Sequence, residues 1–160
     1  MNYKQQYDKL TEAYIKNEVT PWSPCNCFVG NLLNNNCQWV KGRSIPYTNG
    51  TMKNNLINGY KNLEIDNYKV INECIKSEAK GYYTSEEIIS LESRFMSTYL
   101  ENLDVDTSSI NELLLLINED ALFLAFEAAL DLLKYIHISK GENIEEQFTF
   151  TKRTLTYATA

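Results

Sequence analysis

Residues 118–141 read NEDALFLAFEAALDLLKYIHISKG, and the reading of this stretch decides the fold. From Ala121 to Ile138 nearly every residue is apolar or a strong helix former, and no Gly, Pro or β-branched run interrupts it. Asn118 is placed to cap the first turn, and Glu119 and Asp120 put negative charge at the positive end of the helix dipole. Lys140 puts positive charge at the other end, and Gly141 supplies the residue that takes a left-handed stop. At about 100° per residue, Asp120, Glu127, Asp131 and Lys134 share one narrow stripe, while Leu, Phe, Ala, Ile and Tyr cover the rest. A helix with so little polar surface is predicted to be a buried core helix over about 119–140, with the rest of the chain wrapped around it.

Outward from this helix, the flanking segments carry their own periods. Thr84 and Glu87 form a capping box, with Tyr83 against Ile88 as a hydrophobic staple, and Ile88, Leu91, Phe95, Tyr99 and Leu103 follow helical spacing through Asn102. A second box, Ser109 with Glu112, precedes a short apolar helix over 113–117. Tyr68, Ile71 and Ile75 suit a helix within 66–80, although the start of that segment also reads as strand. At the N-terminus, Tyr3, Tyr7, Leu10 and Tyr14 recur along one face of a helix over 3–18. Such a seam packs on the core with its hydroxyls reaching water, or faces a partner through Tyr3, Tyr7 and Tyr14.

Two segments break the helical pattern. Asn49-Gly50 is the strongest hairpin signal, because a type I′ turn needs positive φ at both central positions, and Asn58-Gly59 is a second turn candidate. Over 147–157 the period switches from 3.6 to 2 in a threonine-rich, β-prone run that reads as a strand. The expected fold is mainly α. It is a compact helical domain over 1–160 around the central helix, with a small antiparallel β element made of a hairpin near 49–50 and the C-terminal strand 147–157.

The stretch PCNCFVGNLLNNN, residues 24–36, follows the turn made by Pro21 and Pro24. Ser23 is placed to cap a short helix with Pro24 at its first position, which would set Cys25 in the first turn. The positive end of a helix dipole lowers a thiol's pKa and raises its thiolate fraction. Cys25-Asn26-Cys27-Phe28-Val29 resembles the Cys-Ser-Gly-Phe-Val run that opens the nucleophile helix of NlpC/P60-type cysteine peptidases. The resemblance covers these five residues. It implies a cysteine-dependent hydrolase with Cys25 as nucleophile and a histidine base, for which His137 is the one imidazole in the chain. In that family the histidine lies on a strand, whereas His137 falls within a predicted helix.

The competing reading is structural. Cys25, Cys27, Cys37 and Cys74 lack the paired knuckles of a zinc site, so no metal is expected, and free thiols are expected in place of a disulfide framework. No Gly-rich phosphate loop, zinc-protease helix or G-x-S-x-G elbow occurs, so no cofactor is implied. A formal net charge of −6 argues against phosphate-backbone binding, which needs a basic surface. The polar N-terminus and the regular charges of the central helix exclude a signal peptide and a membrane span, pointing to a soluble, cytoplasmic protein. Heavy use of Asn, Lys, Ile and Tyr fits AT-rich coding of bacterial or phage type. The leading expectation is therefore a small acidic interaction or assembly protein without catalytic activity, which binds a protein partner or itself.

Overall fold

The structure, a computed structural model, describes residues 1–46, 52–103 and 117–144. Along the chain come α1 (Tyr3–Ile15), α2 (Phe28–Leu32), a 3-10 turn (Gln38–Gly42), β1 (Arg43–Ser44), α3 (Met52–Lys61), β2 (Glu64–Ile65), α4 (Tyr68–Ala79), α5 (Ser85–Glu101) and α6 (Glu119–Ser139). The fold is mainly α with a small two-stranded antiparallel sheet.

The helix expected over 119–140 is α6. The Asn118 side chain accepts the Ala121 N–H at 2.9 Å, and Gly141 takes φ 94° where the helix stops. Ala121, Ala125, Phe126, Ala129, Leu130, Leu133 and Ile136 are buried, and the alanine row lets a neighbouring helix come close. That neighbour is α5, which makes the most extensive helix pairing among the described residues. The capping box of α5 is formed as expected: Glu87 N–H donates to Thr84 Oγ1 at 3.1 Å, and Thr84 N–H donates to Glu87 Oε1 at 2.8 Å. The core is thus a helix pair, because α5 buries Ile88, Leu91, Phe95, Met96, Tyr99 and Leu100 on the same terms as α6, and the chain does not wrap α6 on all sides as expected, since Leu124, Tyr135 and Ile138 stay exposed. α1 crosses α6 with the Tyr14 ring tilted against that of Phe126 at 4.6 Å, and the buried apolar residues described form one cluster.

Two local expectations change. Ser23 does not cap a helix containing Cys25. Its carbonyl accepts the N–H groups of Asn26 and Cys27, which closes a turn, and α2 starts at Phe28 with Cys27 as N-cap. Asn58-Gly59 is not a turn but lies inside α3. A side chain on Gly59 would sit 2.5 Å from Ile45, so close packing and not backbone freedom requires glycine there. The antiparallel pair sets Arg43 opposite Ile65 and Ser44 opposite Glu64, with α3 in the connection between the strands. The Asn49-Gly50 turn, the 147–157 strand and the helix over 113–117 lie outside the described residues. Among the described residues no helix is long and apolar enough to cross a membrane.

Candidate functional site

Cys25 is bonded to Cys37, with Cα atoms 4.6 Å apart, which corrects the expectation of free thiols at these positions. The bridge forms because the chain folds back sharply between them. A Cβ on Gly30 would lie 2.4 Å from the Cys25 and Pro24 backbone, and the Asn35 side chain donates to the Cys25 carbonyl at 3.0 Å. Cys27 keeps a free thiol, which accepts the Gly30 N–H at 3.4 Å, but burial pushes its pKa up to about 12 with the nearby Glu92 adding to the rise. A bonded sulfur and a buried neutral thiol are both poor nucleophiles. Closing a loop of this length stabilises a fold by about 3 kcal/mol through the unfolded chain. Reduction should therefore lower the urea midpoint by a corresponding amount. A thiol titration finding all four cysteines free in the native protein would contradict the bond.

His137 sits far from that role in its bonding. It is fully buried, and its Nδ1 lies 2.6 Å from Glu142 Oε2 while its Nε2 lies 2.8 Å from the Tyr83 hydroxyl. A carboxylate only accepts, so Nδ1 carries the proton and donates to Glu142, and in the neutral ring Nε2 accepts from Tyr83. Tyr82 Oη is 3.3 Å from Nδ1, and the Tyr3 ring stands edge-on at 5.7 Å. Glu142 closes the cluster by accepting the Tyr3 N–H at 2.8 Å, so one network joins the start of α1, the segment before α5 and the end of α6. The order carboxylate, imidazole, hydroxyl is that of a catalytic relay. Yet Tyr83 is buried and its hydroxyl is raised well above the ordinary phenol range by burial, so it holds its proton.

Burial lowers the His137 pKa, against a smaller opposing effect of the Glu142 hydrogen bond. The folded state therefore binds this proton less readily than the unfolded chain. The contribution is fully present above the unfolded value of about 6.5 and is lost as pH falls below it. Between about pH 7.5 and pH 5.5 the urea midpoint of His137→Gln should fall less, or rise more, than that of the wild type, in which the buried Glu92 acts in the opposite direction. An unchanged slope would refute the buried neutral imidazole.

The tyrosine seam of α1 is turned inward. Tyr3 and Tyr7 are buried and Tyr14 is half-buried against Phe126, so these three rings pack against the core.

A second buried cluster lies between β1, α3, α5 and the turn before α2. Arg43 Nη2 and Glu92 Oε1 are 2.8 Å apart, with side chains only 12% and 3% exposed. The guanidinium lies 5.6 Å from the Trp39 ring centroid and 5.9 Å from that of Tyr60. Burial pushes the Glu92 carboxyl up to about 7, in spite of the lowering effect of Arg43. Trp22 lines the same cavity as the pair with a left-handed φ of 73°, a conformation that costs a bulky residue about 1–2 kcal/mol. Arg43 Nε, Glu92 Oε2 and Trp22 Nε1 are buried without a hydrogen-bond partner, and their residues line a cavity of about 20 Å³. That is room for one water and no substrate.

Arg43, Glu92, Trp22 and Tyr60 were not singled out from the sequence. Glu92 alone left a trace, because it falls among Ile88, Leu91, Phe95 and Met96 on the apolar face of its helix. Among the described residues no group of three or more His, Cys, Asp and Glu side chains is placed to hold a metal ion. Comparison with protein-family models, with curated proteins and with solved structures returns no match.

Proposed function

We propose that residues 1–160 form one non-catalytic domain that assembles with a second copy of itself through the outer face of α6. The observation that carries this reading is a stripe of large apolar side chains left in water: Leu124, Tyr135 and Ile138 are 41%, 67% and 46% exposed. At about 100° per residue they fall within one narrow arc with Ala128 and Asp131, flanked on one side by Glu127 and Lys134. In an antiparallel pair centred on Asp131, Leu124 meets Ile138 of the other copy, and Glu127 meets Tyr135, one residue along from Lys134. Glu127 and Lys134 carry no ion pair among the described residues, so both are available to such a contact. A single helix face places the interface in the weak, exchanging class.

Light scattering on a sizing column at about 100 μM, well above a micromolar dissociation constant, should find twice the 18.5 kDa chain mass. Tyr135→Glu should return the monomer. Asp131 lies next to its own symmetry mate in this arrangement, so Asp131→Asn should tighten the pair. A wild-type monomer at that concentration would reject the reading. As to compartment, the Cys25–Cys37 bond favours an oxidising environment over the cytoplasm expected from the sequence, since reducing conditions keep such thiols apart.

A further inference from the structure

A groove of about 480 Å³ runs along the solvent side of α5, between the connection from α3 to β2 and α6. Its polar lining is the row Ser90, Ser93, Arg94 and Ser97, which helical spacing sets on one face of α5. Its apolar lining is Leu63, Ile89 and Leu132. Small hydroxyl residues on a helix surface ordinarily mean nothing. Ser97 departs from that rule, because the residue is only 8% exposed and yet its hydroxyl has no hydrogen-bond partner among the described residues. Neither is that oxygen sealed off, so it opens into the groove. A buried serine in a helix usually bonds back to the carbonyl one turn earlier, and this one does not.

Arg94 gives the groove its charge. It is exposed and has no ion pair or hydrogen bond among the described residues, although the chain carries a net charge of −6. Lys61, at the end of the groove, is already neutralised by Glu101 at 2.5 Å. The polar groups that remain can all donate: a planar guanidinium fork and three serine hydroxyls, the latter able to accept as well. Such a set suits the acceptor oxygens of an oxyanion. We propose that this groove binds a small ligand bearing a phosphate or carboxylate on a short aliphatic body, with the oxyanion on Arg94 and Ser97 and the aliphatic part over Ile89, Leu63 and Leu132. The volume falls in the range of small-molecule sites, where a few polar groups orient a mostly apolar ligand.

Amide chemical shifts of the intact chain, followed while hexyl phosphate, hexanoate, inorganic phosphate or hexanol is added, test the site. Hexyl phosphate or hexanoate should shift the amides of Ser90, Ser93, Arg94 and Ser97 with a dissociation constant of about 1 mM or tighter, and the tighter of the two names the oxyanion. Inorganic phosphate and hexanol should each bind about tenfold more weakly, because each lacks one half of the match. Arg94→Gln should weaken binding about tenfold and Ser97→Ala about threefold, with the remaining spectrum unchanged, since Arg94 is exposed and the Ser97 hydroxyl makes no hydrogen bond among the described residues. Added salt should weaken the interaction. No shift at about 10 mM ligand, hexanol binding as well as hexyl phosphate, or full binding by Arg94→Gln would each overturn the proposal.

Discussion

Phe126→Ala should lower the stability of the protein by about 3–5 kcal/mol, the range for truncating a fully buried aromatic side chain. Phe126 is 0% exposed and stands where three elements meet. Its ring lies 4.6 Å from Tyr14 of α1 and 5.6 Å from Phe28 of α2. Truncation removes the apolar area of the ring and leaves a cavity that α5 and α6, held by their own close contact, cannot collapse to fill. Urea denaturation followed by far-UV circular dichroism reads the loss. A variant as stable as the wild type would mean that α6 is not the inner helix of the fold.

Arg43→Ala should cost a similar amount, about 3–5 kcal/mol, because it strands a carboxylate in the interior. This loss depends on pH. The Glu92 carboxyl already titrates at about 7, above the ordinary 4.5, so the folded protein binds a proton there that the unfolded chain does not. For an acid raised in this way, stability grows as pH falls through the folded value and is complete below the unfolded one. Removing Arg43 removes the one group that lowers Glu92, and the carboxyl then takes its proton more readily still. The deficit of Arg43→Ala should thus be large at about pH 8 and much smaller at about pH 5.5. An equal deficit at both would show that lost packing against Trp39 and Tyr60, and not the stranded charge, accounts for it. The double change Arg43→Met with Glu92→Leu should recover most of the stability, since apolar residues of similar volume replace a buried ion pair at little cost.

The periodic parts of this fold were legible in the residues. The caps at Asn118 and Thr84, the stop at Gly141 and the spacing of apolar positions in 3–15, 68–79, 85–101 and 119–139 are local signals, each complete within a few turns of chain. The mainly α class follows from them. The irregular segments were misread where a residue serves a distant neighbour. Gly59 reads as a turn glycine until Ile45 is seen against it, and Cys25 reads as a helix-terminal thiol until Cys37 is folded onto it.

The sequence by itself determined the helices within 3–15, 68–79, 85–101 and 119–139 and the apolar spacing along them, though not α3, and that the single histidine lies in the last of these helices. Only the tertiary structure decided what that histidine and the other polar groups meet. His137 lies 54 residues from Tyr83 in sequence, and Trp39, Arg43 and Glu92 come from separate elements. No period or spacing along the chain records such meetings, because they depend on how whole helices pack against one another. The same packing turned the tyrosine seam of α1 inward and left Leu124, Tyr135 and Ile138 outside. A helix pattern states that a face is apolar, and the neighbouring elements decide whether anything covers it.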